Sequence, residues 1–479
     1  MRQTLIDLEE KARILEPSAG ERGAAREKIV AYAEDFLNGI DDVRAFVSGT
    51  DKGAGLLSSP VSEEGIAIEE AIALLRENVD KPGLNPASGG HLGYIPGGGI
   101  YYSALGDYLA DVFNRYAGVF FASPGAVRME NMLLDWMNSI VGYPESASGN
   151  LASGGSIANL IAIVTARDAQ GIKAKDVERS VIYLSPQAHH SVDKAIRIAG
   201  LGECVVRQVS LDDKYRIVPV ELERQIAADI GEGLNPFLIV ASAGTTDVGA
   251  VDPLSEIGDI AAEFNVWYHI DAAYGGFFVL TDEGKRKLAG LEKSDSLVID
   301  PHKGMFLPYG LGVVLVKDRA KLNASHYYVA NYMQDALEST DEPSPAELSP
   351  ELTKHFRGLR FWLPLKLHGI APFRACLEEK RLLARYFHAE VQKLGFVCDI
   401  EPELSVAVYR YVPENGSADE FNKRLLDEVV ADGRVFISST MLDGKFTLRF
   451  ACLAFRTHLK TVDTLLTVLR EKVKMIENL

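Results

Sequence analysis

The stretch VWYHIDAAYGG, residues 266–276, ends an apolar run on a carboxylate. Its first five residues read as a buried strand: the run is short, β-branched and aromatic, and small residues and glycine close it. Asp271 stands at the carboxyl end of that strand. Outward in both directions, similar short apolar runs recur at 150–152, 181–184, 204–207, 238–241, 296–299 and 312–316. Helical patterns fall between most of them, at 155–168, 189–199, 217–230 and 253–264. This alternation predicts an α/β fold, a mostly parallel sheet sandwiched by helices on both faces.

The flanks read differently. The first 80 residues are helical in pattern. In AAREKIVAYAEDFL (24–37), Ile29, Val30, Tyr32, Ala33, Phe36 and Leu37 fall near one stripe at helical spacing. Ser62 followed by Glu63 and Glu64 predicts a helix start, the helix running to about Asn78 and stopping before Pro82. PGLNPASGGHLGYIPGGG (82–99) must be loop, and so long a Gly-rich loop in a compact protein is often functional. Ser123-Pro124 supplies an N-cap and a first helical residue. Residues 336–350 are polar, acidic and Pro-rich, a loop or linker. Beyond them come a helical stretch from about Leu365 to Leu394, broken near Gly369–Pro372, strands at 404–411, 435–439 and 445–451, and helices at 418–431 and 457–476. The expected division is an N-terminal helical segment (1–85), a large domain (86–360) and a C-terminal α+β small domain (361–479).

The chain has 479 residues, enough for about three domains' worth of chain. At 47% hydrophobic residues it can bury a large core, which excludes disorder as its main state. Fifty basic against 67 acidic residues give a net charge of −17, which argues against a nucleic-acid binder and against an anionic membrane surface. Cys204, Cys376, Cys398 and Cys452 are scattered, with no CxxC pair and no metal-ligand spacing. They form no disulfide framework, so a reducing compartment is expected, and no metal. MRQTLIDLEEKARILE (1–16) lacks the apolar core of a signal peptide, and no apolar run of membrane-spanning length follows, so the expectation is cytoplasmic.

In an open α/β sheet, ligands bind beyond the carboxyl ends of the strands. Four segments there carry chemistry. Gly154-Gly155-Ser156 lies between a strand and a helix, where free N–H groups can cradle an anion; alone it is also a plain turn with Ser156 as cap. Asp271 offers a carboxylate that needs a partner, such as a protonated ring nitrogen; a helix cap or a lysine pair would also serve. Lys303, in SLVIDPHKGMFLPYG (296–310), sits past a strand among Pro, Gly and apolar residues, where a lysine can become a Schiff-base nucleophile or remain a solvated loop residue. His189, in QAHHSVDKA (187–195), can stack a flat ring on a cofactor or serve as a structural histidine, as can His190. Together, an anion cradle, a stacking ring, a carboxylate and a lysine are the parts that hold pyridoxal 5'-phosphate.

At these motifs the chain resembles the group II pyridoxal-phosphate-dependent amino-acid decarboxylases, in particular the aromatic-L-amino-acid type. The resemblance covers roughly residues 85–460, through ASPGAVRMENMLLDW (122–136), SGGSIANLIAIVTAR (153–167), SPQAHHSVDKA (185–195), AGTTDVGAVDP (243–253), HIDAAYGG (269–276), DPHKG (300–304) and HFRGLRFW (355–362). It implies the fold type I architecture of PLP-dependent transferases and a homodimer with shared active sites, the N-terminal helices clasping the partner chain. It implies that Lys303 holds the cofactor as a Schiff base and that Asp271 keeps the pyridine nitrogen protonated. His189 stacks on the ring and meets the substrate carboxylate. Gly155 and Ser156 bind the phosphate with His302 nearby, and Thr246 and Ala273 line the cofactor. A loop tyrosine protonates the substrate α-carbon; in SHYYVANYMQD (325–335) Tyr332 matches best, with Tyr327 and Tyr328 close by. Keeping Tyr and His favours an amine product over an aldehyde.

Two departures stand out. Position 300 is Asp where the aromatic type has Asn near the phosphate; repulsion between anions predicts that Asp300 points elsewhere. The loop HLGYIPGGG (91–99) is less aromatic than the family's, with Tyr94, Ile95 and Pro96 at pocket-wall positions and Gly97–Gly99 expected to widen the pocket. Residues 86–108 contain no Lys or Arg, which favours a neutral or aromatic L-amino acid. The alternatives are a sphingosine-phosphate-lyase-like carbon–carbon lyase, an aldehyde-forming decarboxylase, and a non-catalytic PLP-binding regulator. Arg449 or Arg456 aimed at a substrate carboxylate would allow transamination as a side reaction.

Overall fold

The computed structural model describes residues 1–48, 52–327 and 342–478. Its N-terminal part holds α1 (Arg2–Ala12), α2 (Ala19–Asn38), α3 (Ile68–Leu75) and a two-residue ladder of β1 (Phe46–Val47) with β2 (Gly83–Leu84). The helix expected from residue 24 starts earlier because Ser18 and Glu21 form a reciprocal capping box. The expected start at Ser62 is displaced to Ile68. The Ser62 hydroxyl donates to the Glu64 carbonyl (2.7 Å), a local bond that competes with the helix. No side chain of α1, α2 or α3 is buried, and the stripe residues Ile29 and Val30 stand exposed.

After α4 (Tyr101–Phe113) and α5 (Pro124–Val141) comes the central sheet, of β3 (Ser148–Ala152), β4 (Ser180–Leu184), β5 (Val205–Gln208), β6 (Asn235–Ser242), β7 (Trp267–Asp271), β8 (Ser296–Ile299) and β9 (Gly312–Val316). The order is β3-β9-β8-β7-β6-β4-β5. β4 to β8 pair in parallel, while β9 runs antiparallel between β3 and β8. All seven strands fall where the apolar runs predicted them. Successive residues face opposite sides: Tyr183, Ile239, Ile270 and Val313 enter one core, and Ile182, Leu238, Val298 and Val314 the other. Both faces are therefore covered, by α6 (Gly155–Ala169), α7 (His190–Ile198), α8 (Pro219–Gly231), α9 (Leu254–Phe264), α10 (Asp282–Lys287), α11 (Pro301–Gly304) and α12 (Arg319–His326) among the connecting segments.

The C-terminal part comprises α13 (Gly358–His368), α14 (Ala371–Lys393), β10 (Phe396–Val397), β11 (Val406–Tyr411), α15 (Ala418–Asp432), β12 (Ser438–Leu442), β13 (Lys445–Ala451) and α16 (Leu459–Glu477). Its antiparallel sheet, β10-β11-β13-β12, has its own core around Phe387, Tyr409, Phe450 and Leu465. The strand expected at 435–439 starts only at Ser438. Phe436 is engaged elsewhere: it accepts from Leu92 N–H (2.8 Å) and donates to the Gly90 carbonyl (2.9 Å). The Gly-rich loop is thereby sewn to the C-terminal core and held over the central sheet.

Candidate functional site

At the carboxyl ends of the parallel strands lies a cavity of about 390 Å³, where an open α/β sheet places its ligands. Gly155, Ser156, His189, Thr246, Asp271, Ala273, His302 and Lys303 all line it. They arrive from the ends of five strands, β3, β4, β6, β7 and β8, or the segments after them, which is why residues 148 positions apart in sequence meet. Tyr332 and Tyr328 lie outside the described residues. Tyr327 follows the last turn of α12 and is half exposed.

One wall is an anion cradle. α6 opens at Gly155, so its first N–H groups have no acceptor within the helix. A Cβ on Gly155 would stand 2.8 Å from Asp300 Oδ2, and one on Gly312 2.6 Å from Asp300 Oδ1. Glycine at both positions lets the Asp300 carboxylate reach the start of α6. Asp300 therefore does not point elsewhere, as its charge suggested. It is buried in the cavity wall, its Oδ2 3.2 Å from Lys303 Nζ, whose charge offsets its own, and 3.7 Å from His302 Nε2. Its Oδ1 is buried without a hydrogen-bond partner among the described residues. His302 donates from Nδ1 to the Leu311 carbonyl (2.5 Å), which fixes its ring; burial lowers its pKa.

Asp271 lines the same cavity. Its Oδ1 accepts from Ala273 N–H and its Oδ2 from Asn159 Nδ2, both at 3.1 Å. Asn159 also bonds Ser191 Oγ (3.1 Å) and His269 Nε2 (2.9 Å), and Ser191 Oγ lies 2.7 Å from His189 Nδ1. Burial, the largest influence, lowers the His189 pKa, and it pushes His269 down to about 4. Sequence reading missed Asn159, Ser191 and His269. The signal for His269 was present: two residues before Asp271 on a strand, it shares that residue's face. Asn159 sits one helical turn past Gly155, on the face of α6 that packs on the sheet.

These residues fit pyridoxal phosphate: a glycine cradle with free N–H groups for a phosphate, a carboxylate for a ring nitrogen, and a lysine across the same cavity. A second cavity, of about 260 Å³, adjoins the first through His302 and Tyr309 and is lined by Pro96, Gly97–Gly99 and Pro308. Only part of the loop reading holds there. Tyr94 turns away against His91 and Phe436, and Ile95 enters the core. Gly97 serves close packing, not width: a Cβ there would lie 2.5 Å from Phe306 Cα. Neither arginine lines either cavity. Arg449 bonds the carbonyls of Gly93, Thr246 and Asp247 as well as Ser438 Oγ. Arg456 bonds the carbonyls of Ala87 and Gly98.

Comparison with known proteins gives the same direction. Residues 82–412 match the model of the pyridoxal-dependent decarboxylase conserved domain. The chain is 33% identical over 426 residues to an aromatic-L-amino-acid decarboxylase of Bacillus atrophaeus, covering 88% of each. It is 31% identical over 471 residues to tryptophan decarboxylase 2 of Oryza sativa subsp. japonica, covering 94% of each. Among solved structures, Oryza sativa TDC with PLP and tryptamine superposes with a TM-score of 0.90 at 24% identity, over 96% of this chain and 99% of that one.

Proposed function

This chain belongs to the pyridoxal-dependent decarboxylase family, whose members release CO2 from an L-amino acid with pyridoxal phosphate, and from that premise we propose that its substrate is neutral or aromatic and its product the amine. The observation that carries the reading is the convergence of Lys303, Asp271, His189 and the Gly155 cradle on one cavity. The relatives named as aromatic-L-amino-acid and tryptophan decarboxylases support the substrate class, as does the absence of Lys and Arg from 86–108.

When bound, the cofactor supplies an aldehyde for the substrate amine and a ring that accepts the electron pair left by CO2. The residues divide the rest of the work. The N–H groups of Gly155 and Ser156, at the positive end of α6, hold the phosphate, with His302 beside them. Asp271, oriented by Ala273 and Asn159, holds a proton at the pyridine nitrogen. Lys303 Nζ would hold the cofactor covalently. His189 would stack on the ring and orient the substrate carboxylate, and Ala273 and Thr246 would wall the site. Tyr332 delivers the proton to the substrate α-carbon; this assignment rests on its sequence context.

The active assembly is proposed to be a homodimer, with residues 1–85 as the clasp, 86–360 as the cofactor domain and 361–479 as the small domain. What supports it is the exposed apolar surface on the first helices: Leu5, Leu8, Ile29 and Val30 are each 46% to 60% accessible. A reducing, cytoplasmic setting is proposed with it, since all four cysteines are free thiols. Among the described residues, no helix is long and apolar enough to cross a membrane.

The test is a mass-spectrometric panel. Protein with added pyridoxal phosphate is incubated with each L-amino acid, DOPA and 5-hydroxytryptophan included. Loss of CO2 with one amine is expected; no amine, with cofactor bound, moves the reading to lyase, aldehyde-forming or transaminase chemistry. In the same assay Tyr332→Phe slows amine formation or diverts product to aldehyde, and an unchanged variant moves the proton donor to Tyr327 or Tyr328.

A further inference from the structure

The polar groups behind the cavity form one connected chain, and its donors and acceptors can be assigned from one end. Asp271 is a carboxylate with an N–H on each oxygen, so the Asn159 amide must turn its NH₂ toward it. The flipped amide would set oxygen against oxygen. Asn159 Oδ1 then faces His269 Nε2 (2.9 Å), which must carry a proton. His269 is fully buried, and burial keeps its ring neutral near pH 7. Its Nδ1 is therefore an acceptor, and Ser296 Oγ–H donates to it (2.9 Å) while accepting from the Trp267 indole (2.9 Å).

The second N–H of Asn159 runs the other way, to Ser191 Oγ (3.1 Å). Ser191 lies beside His189 Nδ1 with two donors: its backbone N–H at 3.2 Å and its hydroxyl at 2.7 Å. A protonated Nδ1 would oppose that N–H. We propose that Asn159 and His269 are positioning residues: acting through Ser191 Oγ and together with the Ser191 backbone N–H, they lock His189 in the tautomer with Nδ1 bare and Nε2–H open to a ligand, and they hold Asp271 in register with it. One amide thereby couples the group that meets the ring nitrogen to the group that meets the ring face. The consequence is chemical. His189 presents a neutral N–H donor, suited to a substrate carboxylate, and offers no base there.

The inference rests on the proposed roles of His189 and Asp271, so its first readout uses protein without cofactor or substrate. The protein is labelled with ¹⁵N-histidine and observed by NMR at pH 7.5, with His189→Asn to assign the His189 signals. A protonated Nε2 and an unprotonated Nδ1 are expected for both His189 and His269. Asn159→Ala should move the His189 nitrogens toward the average of two exchanging tautomers. His269→Gln, which keeps an N–H donor, should retain the wild-type His189 signals, and His269→Leu should lose them. A His189 protonated at Nδ1 in the wild type overturns the proposal, as do His189 shifts indifferent to Asn159→Ala, or His269→Gln and His269→Leu behaving alike. A second readout is pyridoxal phosphate affinity by absorbance titration. Loss of one hydrogen bond to the Asp271 carboxylate should weaken it about tenfold or more in Asn159→Ala. Wild-type affinity there removes the link to Asp271. A failure of the decarboxylase reading would leave the tautomer result standing, because no reaction enters it.

Discussion

The cavity wall and the first three helices are built from similar residues and held by opposite means. Around the cavity, polar side chains sit in chains of bonds: Trp267, Ser296, His269, Asn159 and Asp271 are all buried and all joined. In α1, α2 and α3 no side chain is buried, and the polar contacts are exposed pairs such as Arg13 with Glu9 and Lys28 with Glu69. The first region is held by bonds within the chain. The second keeps apolar side chains exposed among the described residues, the surface that the proposed homodimer would cover. The difference teaches where variants should act on chemistry, where on folding, and where on association.

Lys303→Ala attacks the first region at its centre and should have the largest effect. Covalent attachment of the cofactor is lost altogether, read by mass after borohydride reduction. Cofactor still fixed to another lysine would refute the site assignment. The fold should tolerate the change, because Lys303 is partly accessible and its ion pair with Asp300 borders the cavity.

Next in size is Lys354→Ala. Lys354 and Glu130 form an ion pair at 2.7 Å with both side chains at most 1% accessible. Glu130 Oε1 also accepts from Gly358 N–H (3.0 Å). Removing the lysine leaves a buried carboxylate without its cation, a loss of about 3–5 kcal/mol. An unfolding free energy, read from denaturant titration, lowered by less than a fifth of that would show that the interior relaxes as readily as the surface.

These two regions also divide what the sequence could tell. Strand positions were legible because a buried parallel sheet needs short apolar runs and glycine-rich returns, and nothing else in a chain looks like that. The cavity residues were legible because each stands just past such a run. Asn159 was not, since its role arises from α6 lying across β7, a contact with no local signature. Asp300 was misread because charge alone argued against it, while its accommodation depends on two glycines 157 positions apart. The start of α3 was misread because Ser62 satisfies its hydroxyl two residues on.

His91 tests the seam between the loop and the C-terminal core, with an effect somewhat smaller than that of Lys354. Its ring nitrogens are buried and have no hydrogen-bond partner among the described residues, and burial lowers its pKa from 6.5 to about 4. A base depressed in the folded state binds more protons unfolded. Stability is therefore intact above pH 6.5 and falls as pH drops toward 4, by about 3 kcal/mol for this group. His269 titrates in the same window. His91→Phe keeps the ring contacts with Tyr94 and Phe436 and should reduce the acid-side slope in a plot of thermal midpoint against pH. A slope unchanged by the variant would mean that the ring gains a partner in solution.

The smallest effects on folding belong to the N-terminal helices, and there the comparison sharpens most. Arg13→Ala removes an ion pair whose side chains are 65% and 67% accessible, and the change in stability should stay within about 0.5 kcal/mol. Ile29→Asp with Val30→Asp replaces two side chains already 46% and 48% accessible, so within one chain its effect should be equally small. The two variants separate only if a second chain covers α2. Light scattering should then show Arg13→Ala as a dimer and the double aspartate as a monomer, because a carboxylate pressed against an apolar partner has nothing to replace its water. Dimers in both would free this face from the contact, and the surface that joins the subunits would have to be sought elsewhere on the molecule.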